Sequence, residues 1–147
     1  MFLGQFKHSL DSKGRVILPV KLRKLDEPVK SFTMTIGLEN CIAVYPAEIW
    51  EKMTEDYENI PPTDPNGRTF LRVIFANATQ VEPDRQGRIG VPAHLRVYAG
   101  IKKEVVVTGM NDHLEIWDRE KWAEFTQKAE ASLSDNASKH TGYGKKG

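Results

Sequence analysis

A thirteen-residue pattern occurs twice in this chain and constrains the fold more than any other feature. Residues 11–23 follow Asp-x-x-Gly-Arg-x-x-x-Pro-x-x-Leu-Arg, and residues 84–96 repeat the same six identities at a constant offset of 73. Because chance rarely repeats six spaced identities in so short a chain, the sequence predicts two copies of one small unit. Each copy offers the same basic turn, so we expect the partner itself to be repetitive or symmetric, with DNA as the first candidate.

Each copy is predicted to begin with a strand, a tight turn, a return strand and a short helix. Residues 5–10 alternate apolar and polar residues, as a half-buried strand does. Residues 11–14 are predicted to form a turn, because Asp accepts hydrogen bonds from turn amides and Gly tolerates a positive φ. Residues 15–18 are the predicted return strand. A helix is predicted at 19–25, since proline lacks an amide hydrogen but fits a first helical turn.

A second correspondence extends the repeat beyond the turn. Tyr45 and Trp50 have the spacing of a hydrophobic staple, and so do Trp117 and Trp122, at an offset of 72. One residue is therefore missing from a loop of the second copy. Gly90 is expected to mark a bulge or a close backbone approach in the second return strand. The other predicted elements are strands at 32–36, 41–45, 79–83, 88–91, 104–108 and 113–117, and helices at 47–60, at 68–77, from 92 and from 118.

Charge is segregated along the chain, although the net charge is only +1. Residues 1–30 and residues 84–103 each carry +4, whereas residues 51–64 carry −4 and residues 104–135 carry −5. Such a chain can attract a polyanion with one face while the rest keeps it soluble. No apolar run approaches the roughly 20 residues of a membrane span, and there is no signal-peptide pattern. The single cysteine, Cys41, suits a reducing cytoplasm.

Patterns for catalysis and for metal binding are absent from the sequence. The four histidines share no metal-ligand spacing, and there is neither a Gly-rich phosphate loop nor a Gly-x-Ser-x-Gly elbow. Asp11 and Asp84 are better explained as caps of their own turns than as a pair of catalytic carboxylates. The sequence therefore predicts no enzymatic activity, no cofactor and no metal.

The residues alone leave two interpretations of Arg15 and Arg88 open. Each could be a surface residue paired with the aspartate four positions earlier. Alternatively, the turn could hold each arginine at an exposed edge, where it neutralises phosphate or donates to guanine O6 and N7 in the major groove. The two interpretations are compatible if the aspartate orients the turn. For Arg23 and Arg96, phosphate contact and packing against the other half remain equal alternatives.

The repeated motif resembles the AbrB-type swapped-hairpin DNA-binding element. Two copies that open with Met-Phe-Leu-Gly and close with an acidic helix after Leu-Glu-Ile-Trp-Asp resemble the MraZ family over about residues 1–133. The resemblance implies an α+β, mainly β fold, in which two pseudo-symmetric swapped-hairpin units interlock into one β-barrel with short flanking helices. The expected division is a first AbrB-like repeat at 1–60, a linker and bridging helix at 61–77, a second repeat at 78–133 and a disordered tail at 134–147.

The resemblance also implies a function. We expect a sequence-specific transcriptional regulator that binds double-stranded DNA at direct repeats in the promoter of the division and cell-wall gene cluster. It is expected to act as a ring-shaped homo-oligomer in the cytoplasm, associated with the nucleoid and not with a membrane. An antitoxin-like protein-interaction module with the same fold is the alternative. The expected DNA contacts are Arg15, Arg88, Lys13, Arg85 and, more weakly, Lys7, and the expected turn-orienting residues are Asp11, Gly14, Asp84 and Gly87.

Overall fold

The computed structural model describes residues 1–19 and 29–142. Within these residues the fold is mixed, with mainly antiparallel strands and five helices. The helix predicted at 19–25 lies outside the described residues from position 20 onward. The elements are β1 (Gln5–Ser9), β2 (Arg15–Ile17), β3 (Phe32–Ile36), β4 (Ile42–Pro46), α1 (Ala47–Tyr57), α2 (Pro65–Ala76), β5 (Thr79–Val81), β6 (Arg88–Gly90), α3 (Ala93–Ala99), β7 (Glu104–Gly109), β8 (Leu114–Asp118), α4 (Arg119–Ala131) and α5 (Leu133–His140).

The strands form two antiparallel sheets that both combine the two halves of the chain. Six strands are ordered β1-β7-β8-β4-β3-β5, and β2 pairs with β6 in a separate ribbon. Among the described residues, four of these six pairings join a strand of one half to a strand of the other. The pairings leave β1 and β5 as the edges of the larger sheet, so they do not close it into a barrel in the part of the chain that is described.

The register of the pairings has pseudo-two-fold symmetry. In the ribbon, Val16 lies opposite Ile89, its own counterpart at the offset of 73, and its neighbours pair symmetrically about that point. In β4 and β8, Ala43 lies opposite Glu115, its counterpart at an offset of 72. The offset is still 73 in β3 and β7, so the missing residue lies in the turn that follows. This confirms the loss of one loop residue and locates it between β7 and β8.

One hydrophobic core joins the two sheets. Val16 and Ile89 of the ribbon are fully buried, and they belong to the same apolar cluster as Met34 and Ile116 of the larger sheet. Because side chains alternate across a strand, burial of the two central ribbon residues turns their neighbours outward. The core therefore fixes which face of the ribbon is exposed.

Two helices begin at an aspartate that caps the first helical turn, one directly after a strand and one after the proline-rich break. Asp118 caps α4 by accepting a hydrogen bond from the Lys121 amide, and the Trp117 and Trp122 rings lie 5.3 Å apart, as the staple requires. Asp64 caps α2, which starts at Pro65 and thus three residues before its predicted start. None of the helices in the described ranges is long and apolar enough to cross a membrane.

Two expectations are wrong. Gly90 pairs regularly with Arg15, and a β-carbon there would meet nothing within 4 Å, so the position is neither a bulge nor a close approach. The prediction of disorder from residue 134 fails over residues 134–140, which belong to α5. No residue of α5 is buried, and local contacts such as the Asp135–Lys139 ion pair at 3.1 Å stabilise it instead.

Candidate nucleic-acid interface

The first turn, residues 11–15, is built by its aspartate and its glycine. Oδ1 of Asp11 accepts hydrogen bonds from the amides of Lys13 and Arg15, both at 2.9 Å. The Asp11 carbonyl accepts from the Gly14 amide at 3.0 Å, and Gly14 has a φ of 74°. A side chain other than glycine is strained at that φ. Asp11 thus accepts three amide hydrogen bonds within the turn, and Gly14 provides its positive φ.

The second turn, residues 84–88, repeats this geometry atom for atom. Oδ1 of Asp84 accepts from the amides of Gln86 and Arg88, both at 2.9 Å. The Gly87 amide donates to the Asp84 carbonyl at 2.9 Å, and Gly87 has a φ of 78°. The two halves therefore present the same backbone scaffold, although the residues at their tips differ.

Each aspartate also anchors the arginine that ends its turn. The Nε atoms of Arg15 and Arg88 each donate to Oδ2 of their own aspartate at 2.8 Å. Within the described residues, the Nη groups of both arginines make no hydrogen bond, and both side chains are 30% exposed. Nη1 of Arg88 also lies 3.9 Å from Oδ2 of Asp11, so the Arg88 guanidinium pairs with both carboxylates, through Nε with Asp84 and through Nη1 with Asp11. The anchoring fixes each guanidinium through Nε and leaves its terminal nitrogens without a hydrogen bond among the described residues.

The hydrogen bonds of the turns keep the two carboxyl groups ionised. The backbone amide of Arg15, helped by its side chain, lowers the pKa of Asp11 from 3.8 to about 2. The backbone amide of Arg88 likewise lowers the pKa of Asp84. Both aspartates are therefore negative at any physiological pH, and the two arginine anchors are charge-assisted.

The ribbon brings the two anchored arginines onto one outward face. Arg15 lies opposite Gly90, and Arg88 lies opposite Ile17, so the arginines are diagonal neighbours across the strands. Ile17 is 40% exposed. The glycine carbonyl of each turn accepts a hydrogen bond from a backbone amide of the other half. The Leu18 amide donates to the Gly87 carbonyl, and the Val91 amide donates to the Gly14 carbonyl, both at 2.9 Å. The two turns lie at opposite ends of the ribbon. At about 3.4 Å per residue, the three-residue ribbon spans only about 10 Å.

The tips of the turns complete this surface. Each turn carries a net charge of +1, because its two cations outnumber the one aspartate. All tip residues are exposed, and within the described residues their side chains make no hydrogen bond or ion pair. They are Ser12 and Lys13 in the first turn and Arg85 and Gln86 in the second. Lys13 thus lies in the same turn as Arg15, and Arg85 lies in the same turn as Arg88.

The side chain of Arg96 lies against the first turn. The sequence alone left open whether Arg96 packs against the other half or contacts phosphate. A β-carbon on Gly14 would meet Nη1 of Arg96, so the guanidinium of this α3 residue lies against the turn of the other half. A cleft of about 710 Å³ adjoins the turn, and Lys102 and Lys103 line it. Lys102 pairs with Glu120 at 3.2 Å. The signals for this basic edge in the sequence were the repeated Leu-Arg that ends the motif and the +4 charge of residues 84–103. Arg23, the counterpart of Arg96, lies outside the described residues.

Lys7 does not belong to this surface by any contact. It lies on the same exposed face of β1 as Gln5, which accepts a hydrogen bond from Trp122 of α4 at 2.8 Å. That face is directed to helix α4. In the described ranges, no three His, Cys, Asp or Glu side chains are grouped to hold a metal ion.

Known proteins match nearly the whole chain. The family model described as "MraZ protein, putative antitoxin-like" matches residues 1–73 and, a second time, residues 74–143. The chain is 46% identical over 138 residues to "Transcriptional regulator MraZ" of Natranaerobius thermophilus, an alignment that covers 93% of this chain and 94% of the relative. It is 42% identical over 137 residues to the protein of the same name from Halothermothrix orenii, with coverage of 93% and 94%. The relative from Heliobacterium modesticaldum is 41% identical over 139 residues, with coverage of 95% and 96%.

Proposed function

This chain belongs to the MraZ family, and we propose that it is a transcriptional regulator that binds double-stranded DNA through the turns at 11–15 and 84–88. The observation that carries the proposal is the anchoring of Arg15 and Arg88 by their Nε atoms on one exposed ribbon face. A two-stranded ribbon fits the major groove of B-DNA, and the Nη pair of an arginine matches O6 and N7 of guanine. Preorganisation by aspartate reduces the side-chain entropy lost on binding.

The neighbouring cations have a different role in this proposal. Lys13 and Arg85 at the turn tips and Arg96 against the first turn add positive charge that attracts the DNA backbone and positions the protein on the duplex. Affinity should then fall with rising salt, because each phosphate contact releases counterions. Lys7 is a weaker candidate, since it lies on the face of β1 that is directed to α4.

The assembly and the operator are proposed from the resemblance. We propose direct repeats in the promoter of the division and cell-wall gene cluster as the target, and a ring-shaped homo-oligomer, cytoplasmic and nucleoid-associated, as the active form. Several protomers on consecutive repeats gain avidity through high effective concentration. The four strand pairings that join the halves support a further proposal, that the two swapped-hairpin units interlock into one β-barrel.

The second candidate function is an antitoxin-like interaction module, which the description of the matching family favours. It differs from the first in one measurable property. A module of this kind binds a protein partner and has no preference for the repeats upstream of its own gene. Neither candidate assigns a catalytic residue, a cofactor or a metal to the chain.

Fluorescence anisotropy tests the proposal. A duplex with the direct repeats from this gene's own upstream region is compared with a scrambled duplex at two salt concentrations. The wild type should prefer the repeats, and Arg15→Ala/Arg88→Ala should lose that preference, because each bidentate guanine contact contributes ~1–3 kcal/mol. Arg72→Ala/Lys128→Ala is the matched control, since it removes two exposed cations that lie on helices α2 and α4 and outside both turns. Equal binding of both duplexes by the wild type would contradict the proposal and favour the interaction module.

A further inference from the structure

The two turns share a backbone but not their tips. The corresponding hydrogen bonds of the two turns agree within 0.1 Å. The glycine amide bond is 3.0 Å long in the first turn and 2.9 Å in the second, the arginine amide bond is 2.9 Å in both, and the arginine Nε bond is 2.8 Å in both. At the tips, Ser12 corresponds to Arg85 and Lys13 corresponds to Gln86 at the repeat offset. A symmetric frame therefore presents two chemically different ends.

We propose that the two turns bind two unlike halves of one DNA site, so that each protomer binds its site in a single orientation. The first half is contacted by Ser12 and Lys13, and the second half by Arg85 and Gln86. This inference rests on the proposed DNA binding and adds the specificity-determining residues. The pseudo-two-fold relation of β2 and β6 supports it, because rotation about that axis exchanges the turns without moving their backbone.

The chemistry of the tips distinguishes the two halves. Gln86 can donate to and accept from the N7 and N6 edge of adenine, and Arg85 can donate two hydrogen bonds to guanine or to a phosphate. Lys13 is a single flexible cation without the planar fork of arginine. Ser12 is too short to reach as far as Arg85. The second turn thus carries more base-specific donors and acceptors than the first.

A symmetric frame with unlike tips has a consequence for several protomers. If the tips were identical, the protomer would bind a site equally well after rotation by 180°, and an inverted repeat would be its best target. Unlike tips remove that equivalence. Protomers bound at direct repeats then all bind in the same orientation.

Exchanging tip residues tests the inference without changing the net charge. Ser12→Arg/Lys13→Gln makes both turns Asp-Arg-Gln-Gly-Arg, and adding Arg85→Ser/Gln86→Lys exchanges the two tips. Both variants keep the charge of the wild type, so the salt-dependent attraction to DNA is unchanged. Because the four tip side chains are exposed and make no hydrogen bond or ion pair in the described residues, both variants should fold, which circular dichroism checks.

Three duplexes serve as probes: one repeat from the gene's upstream region, and two palindromes made by inverting either half of that repeat. The wild type and the exchanged variant should both prefer the natural repeat over both palindromes by about fivefold or more, the ratio for one lost base contact. The symmetrised variant should instead prefer one palindrome. The inference is overturned if the affinity of the wild type for a palindrome equals its affinity for the repeat. It is also overturned if the symmetrised variant keeps the wild-type preference for the repeat. Absence of binding to all three duplexes would overturn the proposed function as well.

Discussion

Asp11 holds Arg15 by its Nε atom at a distance of 2.8 Å, and the same contact recurs between Asp84 and Arg88. A carboxylate beside an arginine that we propose to bind DNA lowers the local positive charge, so its presence requires an explanation. Each aspartate caps its turn with one oxygen and fixes the arginine with the other. The cost in attraction to phosphate is offset by a guanidinium whose direction is already set.

Replacement of the two aspartates separates positioning from charge. Asp11→Asn/Asp84→Asn raises the net charge by two, so electrostatic attraction alone would tighten DNA binding. We expect several-fold weaker binding to the repeats, because the arginines lose their charge-assisted anchors. Anisotropy measures the affinity for the repeat duplex, which depends on positioning, and the affinity for the scrambled duplex, which depends on charge alone. Tighter binding to the repeats would show that the aspartates do not position the arginines.

The pH dependence of the first turn follows from the pKa of Asp11. Its value in the folded protein, about 2, is below the ordinary 3.8. The ionised form is therefore favoured by folding, and its contribution is present above about pH 4 and lost as the pH falls through 2. Carboxyl carbon NMR should show Asp11 titrating near 2. In Arg15→Ala the pKa should rise only partly, because the amide of residue 15 still donates; titration of wild-type Asp11 near 3.8 would contradict the turn geometry.

Gly14 and Gly90 should respond differently to the same substitution. Gly14→Ala places a side chain at a φ of 74° and against the Arg96 guanidinium, so we expect a loss of ~1–2 kcal/mol in the free energy of unfolding. Gly90→Ala enters open space, and its effect should stay within about 0.5 kcal/mol. Urea denaturation measures both. A neutral Gly14→Ala would mean that the turn does not need its positive φ.

Substitutions on the buried and on the exposed face of the ribbon should differ in their cost to stability. Ile89 is fully buried, and Ile89→Ala should cost about 2–5 kcal/mol of stability, as other large-to-small core substitutions do. Ile17 is 40% exposed on the outer face, and Ile17→Ala should cost much less. Equal losses in denaturation experiments would mean that the outer face is covered by something other than solvent or DNA.

Local features of this fold could be predicted from the sequence, because their causes are local. The Asp-x-x-Gly-Arg spacing predicts the turns, since the capping oxygen and the positive φ involve residues at most four apart. The same holds for the cap at Asp118 and the Trp117–Trp122 staple. The repeat itself predicted that the two turns are equivalent.

Long-range relations could not be predicted in this way. Nothing near Gly14 indicates that Arg96, 82 residues later, lies against it. The pairing of β1 with β7 and of β3 with β5 depends on how the two halves combine, and alternation of apolar residues does not determine the partner of a strand. The helix α5 was missed because it lacks a buried stripe, the signal on which helix prediction relies.

Arg15→Lys/Arg88→Lys tests whether the two anchored arginines recognise bases. Lysine keeps the charge but lacks the planar fork and the Nε anchor. We expect the affinity for the repeat duplex to fall by about tenfold or more, while the affinity for the scrambled duplex and its salt dependence stay unchanged. If the variant keeps the wild-type preference for the repeats, the turns contribute charge alone and the proposed recognition of bases is wrong.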